Sequence, residues 1–256
     1  SRMIAFASEM QALMCVPQLD LALDLTGIDQ YLRLGYIPAP KTAYQRVIKL
    51  LPGHLFAVDL DHGTGAVNPY WRLRVSIEHA EPNELEERLD AVLRESVQAH
   101  LVADVPYGAL LSGGIDSSAV VSYMVEALGK TFPVFTIGFD EPDFSEVEHA
   151  AVAARRWGLE HHVEIVTPDA LDDLPGLVRH YGEPFADSSA IPTYHVSRLA
   201  RSKVPMVLSG DGGDEMFLGY TNYAAWLRWL GFDGASRLKN WIRPLARSLR
   251  PSRFPA

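Results

Sequence analysis

Apolar residues in the second half of the chain alternate between short continuous runs and helical spacings. An apolar run at residues 105–111 leads through a glycine-rich turn into a helical pattern at 117–128 and a second apolar run at 132–137. The pattern then predicts a helix, a strand, two helices and a strand at residues 145–157, 162–166, 170–180, 193–202 and 204–209. Repeated strand-and-helix units predict an α/β fold, a parallel sheet with helices on both faces. Ligands of such sheets bind beyond the carboxyl ends of the strands.

The first part of the chain has a different pattern. Proline and glycine break residues 1–75 into short apolar pieces such as 54–60, which predicts strands and loops. The apolar run at residues 1–7 has no initiator methionine and suits an internal strand, so we expect further sequence to precede it. Apolar positions three and four apart at residues 84–101 predict a helix that opens a second module. We therefore divide the chain into a small β-rich part, residues 1–75, and an α/β domain, residues 76–256.

Composition and charge narrow the classes of function. The formal net charge of −9 disfavours a broad nucleic-acid or anionic-membrane surface, because both need clustered positive charge. No apolar run approaches the ~20 residues that cross a bilayer. The single Cys15 cannot form an internal disulfide, and no leader-like segment opens the chain, so we expect the cytoplasm. The basic stretch at residues 234–256 is predicted to be a solvated helical face rather than a binding tail.

The first glycine-rich turn, LLSGGIDSSAV at residues 110–120, predicts an anion-binding site. Gly113 and Gly114 let the backbone turn tightly, and the first amides of the following helix point unpaired N–H groups at a ligand. The sequence matches neither the Walker P-loop nor the dinucleotide fingerprint. A plain capped turn is the alternative. However, Asp116 among phosphate donors would repel an anion unless a cation lay between them, which indicates Mg²⁺ bridging phosphate oxygens.

The second glycine-rich turn, VLSGDGGDEMFLGY at residues 207–220, brings Asp211, Asp214 and Glu215 within five positions. A capped surface turn whose acidic residues answer the helix dipole would explain one or two of them, but not the three glycines at 210, 212 and 213. If both turns lie at one edge of the sheet, Asp116 and Asp214 would face each other across a nucleotide triphosphate and share the metal. The adjacent His161 and His162 are predicted to be an edge-strand pair on opposite faces, rather than metal ligands.

Several ordered motifs resemble those of the glutamine-hydrolysing asparagine synthetases. SGGIDSS at residues 112–118 is similar to the pyrophosphate-loop signature of the N-type ATP pyrophosphatases, and SGDGGDE at 209–215 to the second signature of the asparagine synthetase branch. Further similarity runs through EPFADSSAIPTY (183–194), SRLAR (197–201), FASEM (6–10), GYIPAP (35–40) and LPGH (51–54). By this resemblance, residues 1–75 are the C-terminal part of a class II glutamine amidotransferase domain. Residues 76–256 are an adenine nucleotide alpha hydrolase-like synthetase domain, expected to stop short of its own C-terminal part.

The resemblance implies ATP-dependent amide formation. Aspartate would be activated as β-aspartyl-AMP with release of pyrophosphate, and ammonia supplied from glutamine would then displace AMP. ATP and Mg²⁺ are the implied cofactors. Aspartate, glutamine-derived ammonia and ATP are the implied small-molecule partners, nucleic acid and membranes are not, and a homodimer stays open.

The resemblance also assigns residues to roles. Asp211 stands where the family commonly has Glu, and would orient or deprotonate the attacking ammonia with a shorter carboxylate. Asp116 and Asp214 would hold the metal. Glu183, Asp187, Ser188 and Ser189 are expected at the acceptor pocket, with capping of the next helix as an equal alternative. ATP and pyrophosphate binding is assigned to Leu110, Ser112, Gly113, Gly114, Asp116, Ser117, Ser118, Ile137, Ser209 and Gly210.

Two departures from the family keep alternatives open. The family's glutaminase half uses an N-terminal cysteine as nucleophile, which Cys15 does not match, so we expect no glutamine hydrolysis here. The chain also reaches Ala256 before the family's distal lysine region is identified. A related amide-forming ligase, β-lactam synthetase-like or peptide cyclase-like, is one alternative. A non-catalytic nucleotide-binding fragment is the other.

Overall fold

The computed structural model describes residues 3–76, 80–140, 145–167, 172–223 and 225–226, so the predicted basic face at 234–256 lies outside it. The helices are α1 (Met10–Met14), α2 (Leu25–Leu34), α3 (Pro82–His100), α4 (Ile115–Leu128), α5 (Val147–Arg156), α6 (Leu174–Tyr181), α7 (Ala190–Arg201) and α8 (Gly213–Phe217). The strands are β1 (His54–Asp59), β2 (Thr64–Pro69), β3 (Tyr107–Leu110), β4 (Pro133–Phe139), β5 (Glu160–Val166) and β6 (Met206–Leu208). Across these residues, none of the helices is both long and apolar enough to cross a membrane.

The central sheet is parallel, as the sequence predicts. Within the described residues its strand order is β5-β4-β3-β6. The chain moves outward from β3 to β4 and β5, and then returns to place β6 on the other side of β3. The direction of winding therefore reverses between β3 and β6, and a crevice opens at the carboxyl ends of strands on either side of such a reversal.

Alternating side chains bury both faces of this sheet. Ala109, Leu111 and Val134 are fully buried with apolar residues of α4 and α5. Leu110 and Phe135, the neighbours of these residues along the strands, pack on the opposite face with Ala200 of α7. Successive side chains of a strand point to opposite faces, so runs that are apolar throughout belong to strands covered on both sides. The predicted helices on both faces are confirmed.

The five helices predicted in residues 76–256 are all present, with starts that differ from the sequence-based boundaries by two to four residues, and two of these differences bear on the site. Helix α4 begins at Ile115 rather than 117, directly after the extended Gly114. Helix α7 begins at Ala190 rather than 193, and so includes Pro192. Proline is tolerated in the first turn of a helix because the N–H groups there have no partner within the helix. The motif at residues 183–194 therefore runs into α7 itself.

The prediction of strands and loops alone for residues 1–75 is wrong, because this part also contains α1 and α2. Two residues of types that commonly cap helices flank α2 in the sequence. Asp24 accepts hydrogen bonds from the N–H groups of Thr26 and Gly27 at its start, and Gly35 ends it at φ 80°. Of the opening apolar run, the described residues 3–7 belong to no strand. The hairpin of β1 and β2 matches the strand predicted at 54–60.

An ion pair connects the N-terminal part, residues 1–75, to the segment between α6 and α7. Lys49 Nζ contacts Glu183 Oε1 and donates to the carbonyl of Ile37 at 2.9 Å. The other Glu183 oxygen accepts the N–H of Ala43 at 3.2 Å. The Glu183 side chain is only 13% exposed and that of Lys49 35%, so loss of either partner leaves a poorly solvated charge. Beside this pair, Ala186 N–H donates to the carbonyl of Gly35 at 2.8 Å.

We expect Lys49→Met to lower the free energy of unfolding by about 1–3 kcal/mol, because the Glu183 carboxylate keeps its partial burial and loses its counter-ion. Urea denaturation of Lys49→Met, Glu183→Gln and the double variant measures the coupling, and the double variant should lose less than the sum of the two single losses. Arg33→Met is the matched control, because its ion pair with Asp29 is exposed and should change stability by less than about 0.5 kcal/mol. Additive losses in the cycle would contradict the assigned coupling.

Candidate active site

A cavity of about 920 Å³ opens at the carboxyl edge of the parallel sheet. Both glycine-rich turns line it, together with the ends of β3 and β4 and the first turns of α7. Of the residues predicted for the site, those lining this cavity are Leu110, Ser112, Gly114, Asp116, Ser117, Ile137, Ser209, Gly210, Asp211 and Asp214. The fold therefore brings together two motifs that are almost a hundred residues apart in the sequence.

Internal hydrogen bonds shape the first turn. Ser112 and Ser117 join their hydroxyl groups at 2.9 Å, Ser117 Oγ accepts the N–H of Ser112, and Ser112 Oγ accepts the N–H of Gly114. Ser117 is buried, so its hydroxyl mainly holds the turn together. Gly113 adopts φ 85°, a conformation that favours glycine. Helix α4 then starts without a side-chain cap, and the residues of its first turn line the cavity.

The second turn packs against the first backbone to backbone. A Cβ atom added to Gly210 would lie 2.6 Å from the amide nitrogen of Ser117, and one added to Gly213 would overlap the Asp116 carboxylate. Gly212 adopts φ 91°. Glycine at these positions is required by close approach and backbone conformation. The alternative of an ordinary capped surface turn gives no reason for that requirement.

Two carboxylates in the cavity have no partner among the residues that the structure describes. Asp116 and Asp214 are half-buried, and in the described part of the chain neither carboxylate forms a hydrogen bond or an ion pair. Nor do the described residues contain a group of three or more His, Cys, Asp or Glu placed to hold a metal. Mg²⁺ is commonly bound through one or two carboxylates, with phosphate oxygens and waters completing its six ligands. This donor set therefore fits a magnesium ion that arrives with a nucleotide.

The other acidic residues of the second turn have internal partners. Ser209 Oγ donates to Asp211 Oδ2 at 2.9 Å, which holds this carboxylate at the exposed edge of the cavity. Tyr220 Oη donates to Glu215 Oε1 at 2.7 Å. That hydrogen bond, with some burial and the charge of Glu215, raises the pKa of Tyr220 to about 12, and it lowers the pKa of Glu215. The Glu215 carboxylate is therefore hydrogen-bonded to Tyr220, whereas the Asp211 carboxylate lies beside the cavity.

The residues expected at the acceptor pocket lie outside the lining of this cavity. Glu183 is held by Lys49 and Ala43. Asp187 accepts the N–H of Ser189 at 2.8 Å just before α7, and hydrogen bonds from Ser189 lower the pKa of Asp187. Asp187 therefore closes a turn before α7, whose N-cap residue Ser189 makes no side-chain cap hydrogen bond, and Ser188 is exposed in the same turn. Their role at an acceptor pocket stays a prediction.

Sequence reasoning missed several cavity residues. Pro192, Thr193 and Val196 of α7 line the cavity, as does the buried Thr136 of β4. The α7 residues carried a signal, because they follow or end the motif at 183–194. Thr136 carried none, because a threonine inside an apolar strand reads as a core residue.

The fold and the cavity define an α/β protein with a cavity at the carboxyl edge of a parallel sheet. Residues 88–255 match the asparagine synthase family model, and residues 1–71 match that of a glutamine amidotransferase domain. The chain belongs to the asparagine synthase family.

Curated relatives carry matching names. The chain is 36% identical over 221 residues to asparagine synthetase (glutamine-hydrolyzing) 1 of Bacillus subtilis strain 168, covering 86% of this chain and 34% of that protein. It is 32% identical over 149 residues to asparagine synthetase B (glutamine-hydrolyzing) of Escherichia coli strain K12, covering 52% and 26%. The chain thus spans about a third of the length of the first relative. Among solved structures, a glutamine-dependent NAD+ synthetase from Acinetobacter baumannii in complex with ADP matches with a TM-score of 0.37, 23% identity and coverage of 64% and 31%.

Gly210→Ala tests the packing of the two turns. We expect it to weaken Mg·ATP binding by roughly tenfold or more, because the added methyl group pushes the second turn away from Ser117 and a tenfold loss needs only about 1.4 kcal/mol. Isothermal titration calorimetry measures the dissociation constant, and circular dichroism checks the fold. Gly176→Ala in α6 is the control, because a Cβ there meets open space and alanine favours helix. Unchanged binding by a folded Gly210→Ala variant would contradict the observed contact.

Proposed function

We propose that this chain forms the ATP-using part of an enzyme that makes asparagine. In this reaction the β-carboxylate of aspartate attacks the α-phosphate of ATP, pyrophosphate leaves, and ammonia then displaces AMP from the β-aspartyl-AMP intermediate. The observation that carries the proposal is the packing of the two turns, which sets a helix N-terminus and two carboxylates without a partner in the described ranges around one cavity. Membership of the asparagine synthase family and the names of the relatives support it.

The first turn is proposed to bind the pyrophosphate portion of ATP. The uncapped amides of α4 and the Ser112 and Ser118 hydroxyls would donate hydrogen bonds to phosphate oxygens. Gly113 and Gly114 keep the backbone free of side chains where phosphates approach. Ser117 would act indirectly, because its buried hydroxyl is used inside the turn. These donors favour the pyrophosphate that forms as the α-phosphate is attacked.

The adenosine would lie on the apolar side of the cavity. Leu110 and Ile137 line it at the ends of β3 and β4, and Ser209 and Gly210, which follow β6, line it as well. Val196 of α7 adds an apolar contact surface. These contacts are apolar or involve the backbone, so they would position the base while the phosphate-binding turn supplies the charged interactions.

Asp116 and Asp214 would hold Mg²⁺, which neutralises the charge that develops on the leaving pyrophosphate. Without a cation, these two carboxylates would repel the phosphates. Asp211 is proposed to orient the ammonia or take a proton from it in the second step. The hydrogen bond from Ser209 fixes this shorter carboxylate in one position at the cavity edge.

Residues 1–75 are proposed to belong to a glutaminase domain and 76–256 to the synthetase domain, in agreement with the two family-model matches. Cys15 is exposed near the end of α1, where its thiol donates to the carbonyl of Gln11. We assign it no role in glutamine hydrolysis. In the proposed cytoplasmic enzyme, this chain would use ammonia rather than produce it, and assembly as a homodimer stays a prediction.

Exchange of labelled pyrophosphate into ATP tests the proposed adenylation. We expect exchange by the protein carrying this sequence to require both aspartate and Mg²⁺. Asp116→Asn should lower the exchange rate by about 100-fold or more, because the phosphates lose a metal ligand. Asp140→Asn is the control, because this exposed carboxylate lies outside the cavity lining.

The choice of acid separates the proposal from its nearest alternative. Exchange that is supported by another carboxylic acid and not by aspartate would favour a tailoring ligase of the β-lactam synthetase or peptide cyclase kind. Nucleotide binding without exchange on any acid would favour a non-catalytic module. Either result would contradict asparagine synthesis.

A further inference from the structure

One peptide group at the start of the phosphate-binding turn is held at both of its polar ends by side chains. The carbonyl of Leu111 accepts a hydrogen bond from Thr136 Oγ1 at 2.6 Å. The N–H of Ser112, in the same peptide group, donates to Ser117 Oγ at 3.2 Å. A peptide group is planar, so fixing its C=O and its N–H fixes the direction in which the chain enters the turn. Thr136 belongs to β4 and Ser117 to α4, so two different elements hold this one plane.

A third residue determines how Thr136 uses its hydroxyl. His161 Nε2 lies 2.7 Å from Thr136 Oγ1, and Thr136 is only 2% exposed. A hydroxyl has one proton, and here it goes to the Leu111 carbonyl. His161 must therefore donate through Nε2–H, which assigns its tautomer. Burial, with the charges of His162 and Arg155, lowers the pKa of His161, in agreement with a neutral ring in this position.

The position of this chain of hydrogen bonds links it to the site. Thr136 and Leu111 both line the cavity, whereas His161 lies on the edge strand β5 behind them. The sequence predicted His161 to be an ordinary edge-strand residue. His161 does lie on β5, at the edge of the sheet in the described residues, and its ring is also linked through the Thr136 hydroxyl to the peptide group at which the phosphate-binding turn begins.

We infer that Thr136 and His161 are positioning residues for the phosphate-binding turn: His161 orients the Thr136 hydroxyl, and Thr136 fixes the Leu111–Ser112 peptide group. The inference rests on the proposed function, because it takes the turn to bind the pyrophosphate portion of ATP. Neither residue needs to touch the nucleotide. Their loss should therefore impair recognition of the β- and γ-phosphates and leave the adenosine contacts unchanged.

Calorimetric titrations of Mg·ATP and of AMP into the chain test this inference. Thr136→Val keeps the shape of the side chain and removes the hydroxyl, which leaves the buried Leu111 carbonyl without its donor. We expect Thr136→Val to raise the dissociation constant of Mg·ATP by roughly tenfold, and that of AMP by less than about twofold. Thr136→Ser retains the donor and should bind both ligands within about twofold of the wild type.

Substitutions of His161 provide a second, independent comparison, including the case in which Thr136→Val fails to fold. His161→Gln keeps an N–H donor, and His161→Leu removes it. We expect His161→Leu to weaken Mg·ATP binding selectively and His161→Gln to restore part of it.

The outcomes separate this inference from the proposed function. A folded wild-type chain that binds no Mg·ATP would contradict the proposed function itself. If the wild-type chain binds Mg·ATP, and the folded Thr136→Val and His161→Leu variants bind it equally well, the inference alone is overturned. Equal weakening of Mg·ATP and AMP would also overturn it, because general damage to the sheet affects the adenosine and the phosphates alike.

Discussion

The structure of the site depends on direct contact between the backbones of the two glycine-rich turns. Gly210 lies against the backbone amide of Ser117, and Gly213 lies against the side-chain carboxylate of Asp116. This contact is possible because β6 returns to pair beside β3, so that both turns leave the same edge of the sheet. It brings Asp116 and Asp214, which belong to distant motifs, to one cavity. Every chemical role proposed for the site requires that proximity.

The N-terminal part is joined to the site through the segment that precedes α7. Lys49 and the N–H of Ala43 hold Glu183, and Gly35 holds Ala186. Helix α7 begins four residues after Ala186, and its first turns line the cavity. The part that matches a glutamine amidotransferase domain therefore contacts the connection leading to one wall of the cavity. A structural change in the N-terminal part can therefore reach the cavity through this connection, without a ligand that binds to both.

Sequence periodicity predicted the parallel sheet, its helices and both turns, because buried strands and amphipathic helices have different spacings of apolar residues. It missed α2, although Asp24 and Gly35 are good capping residues, because short apolar pieces among prolines were read as strands. Spacing could not reveal that the two turns touch, since strand order is a property of the whole sheet. Nor could it identify Thr136, whose partners Leu111 and His161 come from neighbouring strands. Glu183 was recognised as part of a motif, but its partner Lys49 lies in the N-terminal part of the chain, so spacing could not reveal the ion pair.

A crystal structure of this chain grown with Mn²⁺ and a non-hydrolysable ATP analogue would test the central claim most directly. Anomalous scattering locates manganese without reference to the protein coordinates. We predict a manganese peak bound by Asp116, Asp214 and oxygen atoms of the phosphates, with the pyrophosphate portion of the analogue at the start of α4. A nucleotide bound away from the two turns, or a metal that contacts neither carboxylate, would contradict the account.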